Sequence, residues 1–266
     1  MGYRARMPPL PPTSTASRHQ RLDALRGAAV VWMAGFHACY DLNHFGLWSP
    51  PQQFLADPFW TGQRTAIVSL FLFCAGLGQA VALSAGQGAD RFWRRWAQVA
   101  GCALLVSAGS AWMFPRSWIS FGVLHGVAVM LLLVRFGAGR LWRPAGSGPG
   151  AGALLALCGL GALAWWAPTA LAHPLFNGPA GRWTGLVTRL PVTEDYVPVL
   201  PWLGMMLWGL AAGAWLLQHR PAALAGALPA ALQPLALLGR WSLSVYMLHQ
   251  PLLIGLISAW LAWRAA

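Results

Sequence analysis

The sequence predicts an all-α membrane protein, a polytopic helix bundle of about seven transmembrane helices with its N-terminus in the cytoplasm and its C-terminus outside. Three observations support this prediction. Of the 266 residues, 57% are hydrophobic and 9% are charged, whereas soluble domains average about 25% charged residues. The apolar residues form long blocks, separated by segments rich in arginine, proline and glycine. The arginines are also distributed unevenly between alternate connections, as membrane topology requires.

The apolar blocks define the order of the elements. Residues 1–20 are basic and proline-rich, which predicts a disordered tail, and residues 21–266 are predicted to form one transmembrane domain. In the sixth span, Gly209 and Gly213 would allow close helix packing within one chain or between two copies in a homo-oligomer. The predicted spans are residues 22–42, 63–84, 96–113, 118–136, 150–167, 197–217 and 237–263.

The connections between the spans are predicted where proline, glycine and charged residues interrupt the apolar blocks. A proline-rich outer loop, residues 43–62, follows the first span, and an arginine-rich loop, residues 86–96, follows the second. A short link containing Pro115 and Arg116 separates the third span from the fourth. The remaining connections, which are rich in glycine, proline or polar residues, are residues 137–149, 168–196 and 218–235.

The positive charge indicates topology. All 18 basic residues are arginine, and the formal net charge is +12. With seven spans, twelve arginines fall on the side of the N-terminus and five on the other side, which places the N-terminus in the cytoplasm. Because the arginines are scattered between apolar segments, we expect a lipid bilayer as partner, in the plasma (inner) membrane, and no nucleic acid. The four cysteines lie in apolar segments without CxxC spacing, so no metal site is expected.

The first span contains two charged or polar pairs on one helix face. Asp23 and Arg26 are three residues apart, and His37 and Asp41 are four apart, so each pair shares a face. Arg26 and His37 are separated by roughly 16 Å along a helix that rises ~1.5 Å per residue. This is about half of a hydrocarbon core of ~30 Å. Ionisable groups inside a membrane helix indicate an ion pair, a polar cavity or chemistry.

Two further histidines are predicted at a similar depth. His125 lies near the middle of the fourth span and His249 near the middle of the last, with Arg240 roughly 13 Å below His249. We expect the three imidazoles to share a polar cavity above an arginine rim that suits an anionic ligand. Each residue also has a structural alternative, because a single buried histidine is commonly a hydrogen-bonded core residue. Residues predicted at the outer rim are Glu194, Asp195 and Trp202.

Five segments resemble one family. They are RLDALRGAAVVWMAGFHACYDL, FLFCAG, FGVLHGVAV, DYVPVLPWLG and LGRWSLSVYMLHQP, and they are similar to bacterial membrane proteins with a heparan-alpha-glucosaminide N-acetyltransferase catalytic domain. The first segment, with Asp23, Arg26, Gly27 and His37, is also similar to the first helix of membrane O-acyltransferases. An HxPWNG-type segment, which holds the proposed catalytic histidine of the lysosomal enzyme, is not found in this chain.

The resemblance implies transfer of an acyl group, as acetyl, from cytoplasmic acyl-CoA (acetyl-CoA) to a hydroxyl or amine of an extracytoplasmic glycan. The matching position makes His37 the candidate general base or transient acyl carrier. Asp41 would orient His37, and His249 would donate a hydrogen bond to the thioester oxygen. The expected donor-binding residues are Asp23, Arg26, His125 and Arg240, and the expected residues of the acceptor mouth are Glu194, Asp195 and Trp202.

Three alternatives remain open at the level of sequence. Facing histidines can ligate haem in a membrane protein, and a Soret band would identify that function. A polar cavity at mid-membrane also suits a transporter or flippase, although no inverted repeat is evident. The third alternative is a catalytically silent scaffold.

Overall fold

The computed structural model describes residues 19–142 and 148–266. The predicted tail, residues 1–20, therefore lies almost entirely outside the described residues. The described part is helical and contains no β-strand, apart from an isolated bridge between Phe121 and Tyr196, which confirms the predicted all-α class. The helices are α1 (Gln20–His44), α2 (Pro58–Ser84), α3 (Ala89–Met113), α4 (Val123–Phe136), α5 (Ala151–Leu171), α6 (Val199–His219), α7 (Ala222–Ala225), α8 (Gln233–Arg240) and α9 (Ser242–Ala265).

Six of these helices are long and apolar enough to cross a membrane. They are α2, α3, α4 together with the turn that follows it, α5, α6 and α9. The chain is therefore a multi-pass membrane protein. Helix α1, the first predicted span, has 25 residues and is about 37 Å long at ~1.5 Å per residue, but its charged residues make it more polar than the other six. Whether α1 crosses the membrane, and which membrane holds the chain, remain predictions.

Several helix boundaries differ from those predicted. Helix α2 begins at Pro58, five residues early, because Asp57 accepts the N–H of Phe59 at 2.8 Å and a proline suits the first turn of a helix. Helix α3 begins at Ala89, so the arginines predicted in a loop form its first turns. The last predicted span is divided at Trp241 into α8 and α9.

The start of α4 also lies later than predicted, at Val123. The preceding Gly122 is extended, with φ −98° and ψ −166°. The α4 sequence provides no Ser, Thr, Asp or Asn before its first turn, and Asp195 from the distant connection supplies the missing acceptor. Its Oδ2 accepts the N–H of Val123 at 2.7 Å. The long connection therefore caps a transmembrane helix.

Glycines bring α2 and α6 into backbone contact. A Cβ on Gly76 would lie 2.1 Å from the carbonyl oxygen of Met206, and a Cβ on Gly209 would lie 2.2 Å from that of Phe73. A Cβ on Gly213 would lie 2.7 Å from Cβ of Ala80. Small residues allow this approach, which gains van der Waals contact in lipid. The glycines that the sequence offered for packing therefore serve contacts within one chain, and homo-oligomerisation remains a prediction.

The first two helices run in opposite directions. Trp32 of α1 donates to Gln63 near the start of α2, whereas Arg26, nearer the start of α1, reaches Gly78 towards the end of α2. These two helices are therefore antiparallel. The start of α1 and the α2–α3 turn therefore lie at one end of the bundle, which is named here the arginine-rich end. Its described arginines are Arg21, Arg91, Arg94, Arg95, Arg135, Arg140, Arg220 and Arg240, whereas Arg64, Arg116, Arg182, Arg189 and Arg264 lie towards the opposite end.

Helix α8 packs directly on the backbone of α1. A Cβ on Gly27 would lie 1.8 Å from the carbonyl oxygen of Leu235, and a Cβ on Gly239 would lie 1.7 Å from that of Asp23. Only hydrogen atoms fit at these two positions. The polar start of α1 is thus enclosed by α8, and the break at Trp241 then directs α9 along the rest of α1.

Gly27→Ala tests this contact. The added methyl group meets backbone atoms that cannot rotate away, and overpacking typically costs about 1–3 kcal/mol. We expect the midpoint of thermal unfolding in detergent to fall by about 2–12 °C. Gly35→Ala, on the same helix with no atom within 4 Å of the new Cβ, is the matched control and should unfold like the parent. Equal midpoints for the two variants would contradict the close α1–α8 contact.

Candidate functional site

Two of the three predicted histidines meet. The ring of His37 on α1 and the ring of His249 on α9 have centroids 5.0 Å apart, with planes tilted by 57°. Both rings are half-buried. Helix α9 can bring its imidazole to α1 because α8 first fixes this part of the chain against the start of α1. We name these two residues the histidine pair.

The surroundings of His249 fix which nitrogen carries its proton. Nδ1 of His249 lies 2.6 Å from the carbonyl oxygen of Tyr246. A carbonyl oxygen only accepts, so Nδ1 must carry hydrogen, and Nε2 of the neutral ring is the unprotonated nitrogen. Nε2 is buried and has no hydrogen-bond partner among the described residues. His249 therefore presents a basic lone pair inside the bundle.

Unpartnered polar atoms cluster around the histidine pair. In the part of the chain that the structure describes, buried side-chain atoms without a hydrogen-bond partner include His37 Nδ1, His249 Nε2, Asp41 Oδ2 and Gln250 Oε1. Such atoms cost about 1–3 kcal/mol each when buried, and each one requires an explanation. Four of them on two facing helix segments are typical of a reactive or binding site rather than of a packed core.

Asp41 makes a different contact from the one predicted. Its carboxylate is buried, with the residue 3% exposed, and Oδ1 accepts from Nε2 of Gln250 at 2.8 Å. The structure thus joins Asp41 to α9 rather than to the imidazole of His37 on its own helix. Because Gln250 directly follows His249, this bond holds α9 in the register that presents His249 to His37.

His125 has hydrogen-bond partners of its own, which lie on α3 and just before α4. It is the third residue of α4 rather than near the middle of a span. Its Nδ1 accepts the N–H of Gly122 at 3.2 Å, and its Nε2 lies 3.0 Å from Oγ of Ser107, whose hydroxyl donates to the carbonyl oxygen of Ile119. Both ring nitrogens are engaged in holding the start of α4 against α3. The two rings of the histidine pair are in contact, and a cavity shared by all three imidazoles stays a prediction.

Asp23 and Arg26 form the predicted ion pair, with Nη1 of Arg26 3.2 Å from Oδ1 of Asp23. The other terminal nitrogen of Arg26 lies against α2, where a Cβ on Gly78 would be 2.3 Å from it. A glycine at position 78 therefore makes room for the guanidinium. Arg240 ends α8 beside Gly239 and is exposed, so both predicted donor-binding arginines lie at the arginine-rich end.

The residues predicted at the acceptor mouth hold the long connection in place. Glu194 is exposed and accepts from the hydroxyl of Ser117. Burial raises the pKa of Asp195, the cap of α4, although Arg64 and two backbone N–H groups oppose this shift. Burial also raises the pKa of the neighbouring Tyr196 to about 12. Trp202 packs edge-on against Trp165, with ring centroids 6.0 Å apart, so it belongs to the α5–α6 contact.

A cavity of about 310 Å³ lies between the end of α1 and the loop that follows it. It is lined by Tyr40, one turn after His37, and by Asn43 and residues 52–56 of the following loop. Tyr40 stands edge-on to Phe54, which stacks on Trp60 at 4.0 Å. The described lining contains aromatic and amide side chains and no charged group, a combination that suits a neutral polyol or sugar.

Sequence reasoning missed Gln250, Tyr246 and Ser107 as partners of the histidines. A signal for Gln250 was present, since a glutamine within an apolar helix needs a partner in lipid. The carbonyl of Tyr246 could not be inferred, because any residue provides one. Ser107 could not be assigned without knowing that α3 and α4 pack there.

The geometry disfavours the haem alternative. Two axial histidines of a haem stand on opposite faces of the porphyrin, which must fit between them. The rings of His37 and His249 are in direct contact, with centroids 5.0 Å apart. No macrocycle fits between rings at this separation.

The bond between Asp41 and Gln250 can be tested by a double-mutant cycle. Gln250→Leu leaves both oxygens of the buried Asp41 carboxylate without a protein donor, so we expect unfolding free energy to fall by about 1–3 kcal/mol. Combining it with Asp41→Leu removes both partners. The double variant should then lose less unfolding free energy than the two single variants lose in sum, by roughly 1 kcal/mol or more. Additive losses in detergent-solubilised protein would show that the two side chains are not coupled.

The chain was compared with protein families, curated proteins and solved structures. No curated protein and no solved structure matches it. Residues 18–251 match the family described as "Heparan-alpha-glucosaminide N-acetyltransferase, catalytic". This match spans every helix from α1 to α8 and includes both members of the histidine pair. The chain therefore belongs to the heparan-alpha-glucosaminide N-acetyltransferase catalytic-domain family.

Proposed function

We propose that this chain is a membrane acetyltransferase that moves the acetyl group of cytoplasmic acetyl-CoA to a hydroxyl or amine of a glycan on the other side of the membrane. The observation that carries the proposal is the histidine pair, where a fixed tautomer leaves Nε2 of His249 free to accept a proton. Family membership supports acetyl transfer as the reaction. The arginine-rich end supports a donor entering from the cytoplasm, since anionic phosphates need cationic partners.

The reaction requires one proton acceptor and one stabiliser of negative charge. Nε2 of His249 takes the proton of the acceptor hydroxyl or amine as its oxygen or nitrogen attacks the thioester carbonyl. The carbonyl oxygen of Tyr246 stabilises the resulting imidazolium through Nδ1–H. The C–S bond then breaks, and the departing CoA thiolate takes the proton from the imidazolium of His249. His37 stands opposite and donates to the carbonyl oxygen, which becomes negative in the transition state.

This assignment exchanges two roles expected from the sequence. There His37 was the candidate base and His249 the donor to the thioester oxygen. Neutral His249 cannot donate from Nε2, because its hydrogen is held by Tyr246 on the other nitrogen. Among the described residues, no backbone carbonyl fixes the tautomer of His37 in this way, so His37 can present the hydrogen. Asp41 acts as a positioning residue through Gln250.

Donor and acceptor would approach from opposite ends. Arg26 lies eleven residues before His37, roughly 16 Å along α1. An extended pantetheine arm of about fifteen bonds spans roughly 18 Å, from the ~3.5 Å that three bonds cover in an extended chain. Phosphates near Arg26 can thus accompany a thioester at the histidine pair. The cavity beside Tyr40 would hold the acceptor, with its aromatic and amide groups against the sugar.

Histidine variants test the chemistry. We expect both His37→Ala and His249→Ala to lower kcat for acetyl transfer in proteoliposomes by ~10²–10⁴-fold, the usual contribution of a positioned acid or base. The matched control is His219→Ala at the end of α6, which removes an exposed imidazole that stacks on Trp215. This control should keep its rate. Unchanged kcat in folded His249→Ala protein would exclude His249 as the base.

A glycine variant tests the donor site without changing any charge. The methyl group of Gly78→Ala would displace the guanidinium of Arg26, the only described side chain within 4 Å of the new Cβ. A charge-assisted hydrogen bond is worth about 1.5–3 kcal/mol, so we expect KM for acetyl-CoA to rise about tenfold or more, with the acceptor KM unchanged. The control is Gly62→Ala, also on α2, where no described atom lies within 4 Å of the new Cβ. This variant should leave the KM of the donor and the KM of the acceptor unchanged. An unchanged KM for acetyl-CoA would show that the phosphates of the donor do not bind at Arg26.

A further inference from the structure

A second cavity, of about 430 Å³, lies at the arginine-rich end, far from the histidine pair. It is formed where the α2–α3 turn meets the end of α4 and the short helical turn after it. Its wall combines guanidinium groups with apolar surface. The lining residues are Leu83, Gly86, Gln87, Arg135, Phe136, Gly139 and Arg140.

The cavity carries positive charge that the described chain does not neutralise. Arg135 donates from Nη2 to the carbonyl oxygen of Gln87 at 2.5 Å, and its Cζ lies 5.3 Å from the centroid of Phe92. These contacts fix the guanidinium and use one of its five N–H groups. Arg140 is exposed. Among the described residues, no carboxylate pairs with either arginine, and the lining contains neither Asp nor Glu. Two such groups favour a phosphate.

A pantetheine arm is too short to bring the diphosphate of the acetyl donor to this cavity while the donor reacts at the histidine pair. Phe36, the neighbour of His37, contacts Trp60 on α2 with ring centroids 6.0 Å apart. Leu83 lies 23 residues further along α2, which is about 35 Å at ~1.5 Å per residue. An extended pantetheine arm of about fifteen bonds spans roughly half of this distance. The donor's diphosphate therefore does not account for the two arginines, which leaves this cavity for another phosphate-bearing ligand.

The surroundings indicate a lipid. Phe136, in the cavity wall, is 47% exposed, and Leu133, one turn deeper on α4, is 44% exposed. Trp93 is exposed beside them, with its ring centroid 5.8 Å from that of Phe136. Anionic groups would thus lie at the helix ends, and apolar chains would run along the lipid-facing side of α4. Basic pockets of this kind between membrane helices suit anionic headgroups.

We propose that the cavity at Arg135 and Arg140 binds the phosphate headgroup of an anionic phospholipid. The two guanidinium groups contact the phosphate oxygens, while Phe136 and Leu133 contact the first methylenes of an acyl chain. This site is separate from acetyl transfer, because it requires neither the donor nor the histidine pair.

The test measures retention of phosphatidylglycerol by the full-length protein in phosphatidylcholine nanodiscs, using native mass spectrometry. Each arginine near a lipid surface contributes on the order of fivefold in affinity. Arg140→Gln should therefore weaken retention about fivefold, and Arg135→Gln/Arg140→Gln on the order of thirtyfold. Arg189→Gln, which removes an exposed arginine at the opposite end of the bundle, should retain the parental amount. Arg140 makes no hydrogen bond with its side chain among the described residues, so its substitution leaves folding intact.

Two results would overturn the proposal. Equal retention by the parent and Arg140→Gln would show that the cavity does not select anionic lipid. Displacement of the lipid by millimolar inorganic phosphate or adenosine 3′,5′-bisphosphate, with the same dependence on Arg140, would assign the cavity to a soluble phosphate compound instead. Retention that depends on Arg140 and survives both competitors supports a lipid site.

Discussion

The bundle depends on the enclosure of α1, which is too polar to face lipid on every side. A charged side chain at the centre of a bilayer costs several kcal/mol when it lacks a partner. Helix α1 carries Asp23, Arg26, His37 and Asp41, and turns apolar residues such as Val31 and Trp32 outward. Each polar group faces another helix: α8 covers the backbone at Asp23, α2 accommodates Arg26, and α9 contacts His37 and Asp41. The arrangement of α2, α8 and α9 follows from this requirement.

Glycine makes that enclosure physically possible. Lipid provides no hydrophobic drive for helices to associate, so close contact has to supply the energy through van der Waals packing. Gly27 and Gly239 bring α1 and α8 within backbone contact, and Gly78 leaves space for the guanidinium of Arg26. The same device joins α2 to α6 at Gly76 and Gly209. The small residues on these helix faces therefore help to position the charged side chains, together with the hydrogen bonds that these side chains make.

The sequence predicted the parts of the fold that follow from composition and local periodicity. The all-α class is confirmed, and six of the described helices are long and apolar enough to cross a membrane, because an apolar block of about twenty residues has few alternatives. The ion pair of Asp23 with Arg26 was also predicted, since it needs only three residues of helix. The failures involve distant partners. The start of α4 depends on Asp195, 72 residues away, and the hydrogen bond between His125 and Ser107 depends on the packing of α3 against α4.

The segment from His249 to Pro251 in α9 concentrates the contacts that surround the candidate base. Pro251 lies inside the helix and has no N–H, so the carbonyl of Met247 has no helical partner at that turn. The neighbouring carbonyl of Tyr246 accepts the side chain of His249 at 2.6 Å. One ring nitrogen of His249 is thus bound to the backbone, and the other is buried without a hydrogen-bond partner among the described residues. The intervening residue, Gln250, reaches Asp41, so three consecutive residues set the orientation, the register and the protonation of the candidate base.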